Sequence, residues 1–170
     1  MKALLLIPLL LIPYLLYIYW RYGMTVSISA TAKHHRSTWE SVWFALSLWA
    51  VGIPLMIVGF EVSNPDSVLI LWLLAGGFIC LIGAAQVFWK GGMEYKAHMT
   101  GSYGGIGAGM LALLIHCTSV VTIALVSLFV VFAAVQMIPW KKFEKYKIQN
   151  RIYWVEVSAI VTAQLALLLA

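Results

Sequence analysis

Glu94, His98 and Glu156 are the side chains of this 170-residue chain with the most chemistry in them. Glu94 and His98 stand four apart, so they share a face wherever that segment is helical. Two carboxylates and an imidazole could hold a divalent metal whose bound water acts as a nucleophile. They are weak candidate metal ligands, because Glu-x-x-x-His arises by chance and loops at a membrane surface are polar in any case. The same groups, with Glu40 and Gln86, also read as a polar cluster that could line a vestibule. No catalytic constellation and no cofactor motif is recognisable, so catalytic residues and cofactors stay unassigned.

Glu156 stands four residues inside the last apolar stretch of the chain. At about 1.5 Å rise per residue it lies roughly 6 Å from the end of that helix. An ionisable group at such a depth marks a functional position by default. The plainer alternative is a side chain that reaches back to the interface and pairs with Lys147 or Arg151. A turn of about 100° per residue puts Tyr153, Glu156, Ile160 and Ala163 or Gln164 on one face. The polarity of Tyr153 and Gln164 favours, narrowly, a face turned inward, with Gln86, Glu94 or His98 as neighbours.

Composition decides what positions these groups. Hydrophobic residues make up 63% of the chain and charged residues only 10%, too few to keep a soluble domain of this size dispersed. The chain therefore reads as an all-α, polytopic transmembrane bundle forming a single domain over 1–170. Spans of roughly 20 apolar residues fall at 3–20, 39–60, 68–88, 99–116, 119–138 and 152–170. Residues 99–139 are too long an apolar run for one helix, and they divide near His116-Cys117-Thr118-Ser119. Glu61–Ser67, with Asn64-Pro65 and two acids, reads as a turn. Lys2 ahead of an apolar run and Ala30-Thr31-Ala32 imitate a signal peptide. The run is too long for one and the cleavage site too distant, so a retained helix is expected.

Charge supports six spans. The loops at 21–38, 89–98 and 140–151 then share one side, and they carry every Lys and Arg except Lys2. The positive-inside rule makes that side cytoplasmic and puts both termini outside, as in a bacterial inner membrane. The net charge of +5 follows from these loops, and no nucleic-acid partner is expected. Cys80 and Cys117 lie in apolar surroundings without metal or disulfide spacing.

Gly101, Gly105 and Gly109 recur every fourth residue on one face of the fourth helix. Glycine lowers helix stability, and in a bilayer its usual return is close approach of backbones. The third helix offers a small face through Gly76, Cys80, Gly83 and Ala84. Gly105-Ile-Gly107-Ala-Gly109 is not a phosphate loop, since no strand precedes it and no Lys-Ser/Thr follows. Membrane lipids, and a homo-oligomer or larger membrane complex, are the partners expected.

Met24-Thr-Val-Ser-Ile-Ser-Ala-Thr31, followed by Glu94-Tyr-Lys-Ala-His98 before a glycine-rich helix, resembles segments of small uncharacterised polytopic membrane proteins of bacteria and their phages. Those proteins resemble, more loosely, multi-span hydrolases that place Ser and His at a membrane face. This chain carries no His-x-x-x-His pair of the kind such enzymes show. The leading expectation is a non-catalytic role as pore, transporter or subunit of a membrane complex. The alternative is a membrane-embedded hydrolase, with or without a metal, acting on lipid or another amphiphile.

Overall fold

The computed structural model describes residues 2–35, 37–62, 66–88, 95–116, 119–139, 144 and 147–169. Six α-helices follow one another: α1 (Leu6–Tyr22), α2 (Thr38–Val62), α3 (Asp66–Phe88), α4 (Tyr95–His116), α5 (Val120–Met137) and α6 (Arg151–Leu169). A short 3-10 turn precedes α1, and another covers Ser29–His34 between α1 and α2. Local chemistry sets several boundaries. Gly23, at φ 78° and ψ −172°, takes a conformation open to glycine that ends α1, and its N–H bonds Tyr19 O. Ser119 caps α5 by accepting from Thr122 N at 3.1 Å. Asn150, at φ 55°, turns the chain into α6.

The apolar run of residues 99–139 is two helices, α4 and α5. The turn expected at 61–67 is narrower than its composition suggests, because α2 extends through Val62 and α3 starts at Asp66. Polar residues at a bilayer surface cost a helix little, so hydropathy understates its length. Among the described residues four helical segments are long and apolar enough to cross a membrane: Thr38–Gly59, Val68–Ala85, Val120–Met137 and Arg151–Leu169. Leu6–Tyr22 and the Gly101–Ile115 part of α4 are apolar but shorter. The outer surface is apolar as well, with Leu81 63% and Leu128 68% exposed. Water would not tolerate such a surface on this scale, and a bilayer would.

The helices pack as antiparallel neighbours. Along α1 and α2, Ser47 Oγ reaches Leu10 O at 3.3 Å and the Tyr14 and Phe44 rings lie 5.8 Å apart. The seam between α2 and α3 is tightly closed. A β-carbon on Gly52 would come within 2.6 Å of both Cys80 Sγ and Gly76 O, and Gly59 lies under the buried Trp72 ring. Trp49 Nε1 donates to Cys80 O across the same seam at 3.0 Å. Gly76 and Gly83 thus face α2 and not α4. The glycines of α4 meet a different face of α3: Gly101 lies against Ile82, Gly105 against Ala75 and Phe78, and Gly109 against Ala75. The third helix has small residues on two faces, so both neighbours approach it. Helix α6 closes the bundle against α4 and α5. Leu4, Val51, Trp72, Leu113, Val126 and Ala163 fill one continuous core.

Candidate functional site

Glu40 is positioned by its own helix. Ser37-Thr38-Trp39-Glu40 has the spacing of a capping box, and both of its bonds form. Glu40 N donates to Ser37 Oγ at 3.3 Å, and Ser37 N donates to Glu40 Oε2 at 3.2 Å. The other carboxylate oxygen, Oε1, accepts from Tyr17 OH at 2.8 Å and Tyr22 OH at 2.9 Å. Arg21 Nε stands 3.6 Å from it. The residue is 3% exposed and amply provided with donors.

Beside it runs a chain of hydrogen bonds through the first loop. Thr31 Oγ1 donates to Ile28 O at 2.6 Å, which leaves it an acceptor for Tyr14 OH. Tyr14 oxygen then accepts from His35 Nε2 at 2.9 Å, and His35 Nδ1 accepts from Ser41 OH at 3.3 Å. Each hydroxyl has one proton to give, so this order calls for a neutral His35 protonated on Nε2. Burial pushes the His35 imidazole below its usual range. The Glu40 charge acts against that shift, and His34 adds to it.

The ordered loop is pinned to the last helix. Ile28 N donates to Glu156 Oε2 at 2.6 Å, and Tyr153 N, one of the open amides of the first turn of α6, donates to Val26 O at 2.9 Å. Glu156 therefore turns inward. Its companions on that face do the same: Gln164 Nε2 reaches Leu4 O at 3.3 Å, and Ile160 joins Glu156 in lining a cleft. The pairing with Lys147 considered above does not form, because Lys147 pairs with Glu144 instead. Among the described residues no cation stands within ion-pair distance of Glu156.

The cleft has a volume of about 460 Å³, its open mouth included. Leu48 of α2, Ile79 and Ile82 of α3, Ile106 of α4 and Ile160 of α6 wall it, with Ile28 of the loop beside them. Ser102 and Glu156 are the only polar residues of the lining. Glu156 Oε2 is taken by the Ile28 amide, while Oε1 has no partner among the described residues. The result is an aliphatic pocket with one carboxylate held in a fixed orientation.

Of the expected polar cluster, Glu40 and Glu156 lie at the same end of the bundle, joined through residues 26–41. Gln136 lies at that end too, accepting from Ile148 N at 2.9 Å and binding the end of α5 to the approach of α6. Glu94 lies outside the described residues, as do the side chains of Gln86 and His98. Among the described residues no three His, Cys, Asp or Glu side chains cluster closely enough to hold a metal. Tyr14, Thr31, His35 and Ser41 were not singled out as a group, and no motif marks them. Their common signal is only that polar groups flank a loop between two apolar helices.

The chain matches no known protein family, and no curated protein or solved structure shows significant similarity to it.

Proposed function

We propose that the protein serves a non-catalytic role in a membrane, as a pore, transporter or subunit of a membrane complex, and that it works through the Glu156 cleft. The observation that carries this reading is a single fixed carboxylate in an otherwise aliphatic cleft between four helices. Glu156 also ties the first loop to α6, and a ligand site is commonly built from apolar walls with a few polar groups beside them. Of the three roles, the cleft serves transport or capture of a membrane-dissolved molecule most directly. The topology that accompanies the proposal has six spans, both termini outside and the basic loops in the cytoplasm of a bacterial inner membrane. The apolar outer surface leaves room for lipids and for further copies or other subunits.

Filling the cleft tests the reading. Ile106→Trp places a ring where the cleft is open, and native mass spectrometry of purified protein reports any small amphiphile carried along. Parent protein with a bound molecule that Ile106→Trp lacks supports the proposal. Parent protein that carries and binds none, in a membrane or in detergent, refutes it. Cysteine labelling from either side of the membrane tests the topology, which fails if residues 61–67 and 147–151 prove accessible from the same side.

A second reading, the membrane-embedded hydrolase, draws on the contact between Ser41 and His35. There His35 Nδ1 would take the Ser41 proton while Tyr14 holds the other ring nitrogen. Lipid or ester turnover that disappears in Ser41→Ala would establish it.

A further inference from the structure

Away from the cleft, and independently of it, we propose that Arg21 holds the phosphate of an anionic phospholipid at the end of the bundle where α1 finishes and α2 begins. Charge, orientation and depth lead there. Residues 21–41 carry three basic side chains, Arg21, Lys33 and Arg36, against one acid, Glu40. That acid is buried and already accepts from Tyr17, Tyr22 and the Ser37 amide. The segment as a whole is positive, which favours an anionic headgroup over a zwitterionic one.

The guanidinium is oriented in advance. Arg21 Nε donates to Tyr22 OH at 3.1 Å and stands 3.6 Å from Glu40 Oε1, and Arg21 Cζ lies 5.6 Å from the centre of the Tyr22 ring. Tyr22 is itself anchored, donating to Glu40 at 2.9 Å and stacking with His34 at 5.6 Å between ring centres. These contacts engage Nε, while the terminal nitrogens carry four more N–H donors in the planar fork that matches a phosphate. The side chain stays 43% exposed. A phosphate thus meets an arginine whose geometry is already set. Aromatic side chains give the depth: Tyr19, Trp20 and Trp39 are exposed around the same end, as in the belts that mark the headgroup level of a bilayer. From Trp39 the exposed Leu46, Ile53 and Ile57 continue along one face of α2, at a turn of about 100° per residue. The acyl chains below the headgroup lie against that stripe.

Lipid selectivity of the full chain tests the assignment. Parent, Arg21→Gln, Arg21→Lys and Arg151→Gln are reconstituted with equal amounts of phosphatidylglycerol and phosphatidylcholine, and the lipid retained in detergent is counted by native mass spectrometry. The parent should retain phosphatidylglycerol over phosphatidylcholine by at least about fivefold, the discrimination that one basic contact at a membrane surface gives. Arg21→Gln should lose the preference. Arg21→Lys keeps a charge beside Glu40 but not the fork, and should fall to about twofold or less. Arg151→Gln removes an exposed arginine at the start of α6, at the same end, and should behave as the parent does. No preference in the parent overturns the proposal, and so does an equal loss in Arg21→Gln and Arg151→Gln, which would assign the effect to diffuse surface charge. A preference abolished by excess glycerol phosphate overturns the lipid assignment in favour of a soluble phosphate. If Arg21→Gln fails to fold, Arg21→Lys decides, and unchanged selectivity there removes Arg21 from the site.

Discussion

Glu40 and Glu156 are carboxylates at the same end of the bundle, each near the start of a helix, and the two surroundings are opposites. Glu40 receives two tyrosine hydroxyls, a guanidinium nitrogen and the first amide of its own helix. Glu156 receives one amide from a distant loop and lines an apolar cleft. The same contrast runs through the packing. On the Glu40 side, α2 and α3 meet at a glycine seam without room for a methyl group, whereas between α3, α4 and α6 the helices part. A fully satisfied carboxylate is explained by the fold that surrounds it. Glu156 is engaged less fully, by the one loop amide that ties residues 26–28 to α6.

The largest expected effect compares like with like on the closed side. Glu40→Gln keeps the shape but removes the charge and points an NH2 at groups that donate, so at least one hydrogen bond to Glu40 is lost. A hydrogen bond to a charged group contributes about 1.5–3 kcal/mol, and the loss should fall in that range. Thermal and denaturant unfolding in detergent measure it. A loss below about 0.5 kcal/mol would show that the donors around Glu40 are dispensable.

Gly52→Ala comes next. Its methyl group would press on Cys80 Sγ and on the Gly76 carbonyl, and backbone cannot move aside cheaply. Overpacking of this kind costs about 1–3 kcal/mol. Gly107→Ala, with nothing within 4 Å, serves as the matched control and should leave stability unchanged or raise it by up to about 1 kcal/mol. Equal melting temperatures for the two variants would remove the distinction between a closed and an open side.

Glu156→Gln should change stability by no more than about 1 kcal/mol, since the amide oxygen still accepts from Ile28 N–H. A loss as large as that of Glu40→Gln would make Glu156 a structural acid and end the comparison. The smallest effect is a pH slope. His35 is held below its usual range, so the folded chain binds a proton there less readily than the unfolded chain does. Its contribution is fully present above the unfolded value of about 6.5 and is lost as pH falls below that toward the folded value. Unfolding of His35→Gln against parent between pH 7.5 and 5 checks this, and parallel curves would remove His35 from the account.

Much of the bundle was legible because hydropathy, charge and capping chemistry act locally. The break between α4 and α5 follows from length alone, and Ser119 is a recognisable cap. Ser37-x-x-Glu40 was equally readable as a capping box, though Glu40 was grouped with the polar cluster on its charge. Which face of α3 meets which neighbour was not readable, because Ala75 and Gly76 are adjacent small residues on different sides of the helix. The site was half legible. Glu156 stands out as an acid in an apolar helix, but its partner is a backbone amide, which every non-proline residue possesses and no motif marks. The cleft depends on how five segments come together, and no single window of sequence contains that.

The bond between Ile28 and Glu156 joins residues 128 positions apart, and that distance becomes an interval during synthesis. At roughly 5–20 residues per second, the ribosome delivers Glu156 about 6–25 s after Ile28. Throughout that interval α1 and α2 can pair, the capping box can close and the glycine seam can form. The Ile28 amide and the Val26 carbonyl have no partners of their own until α6 enters. The cleft is therefore the last part of the protein to come into being, and a nascent chain halted before α6 would lack Glu156 and the two bonds that tie residues 26–28 to α6. Any quality control that monitors exposed polar backbone at the membrane surface would recognise such a chain at the 26–28 segment, far from the helix that is missing.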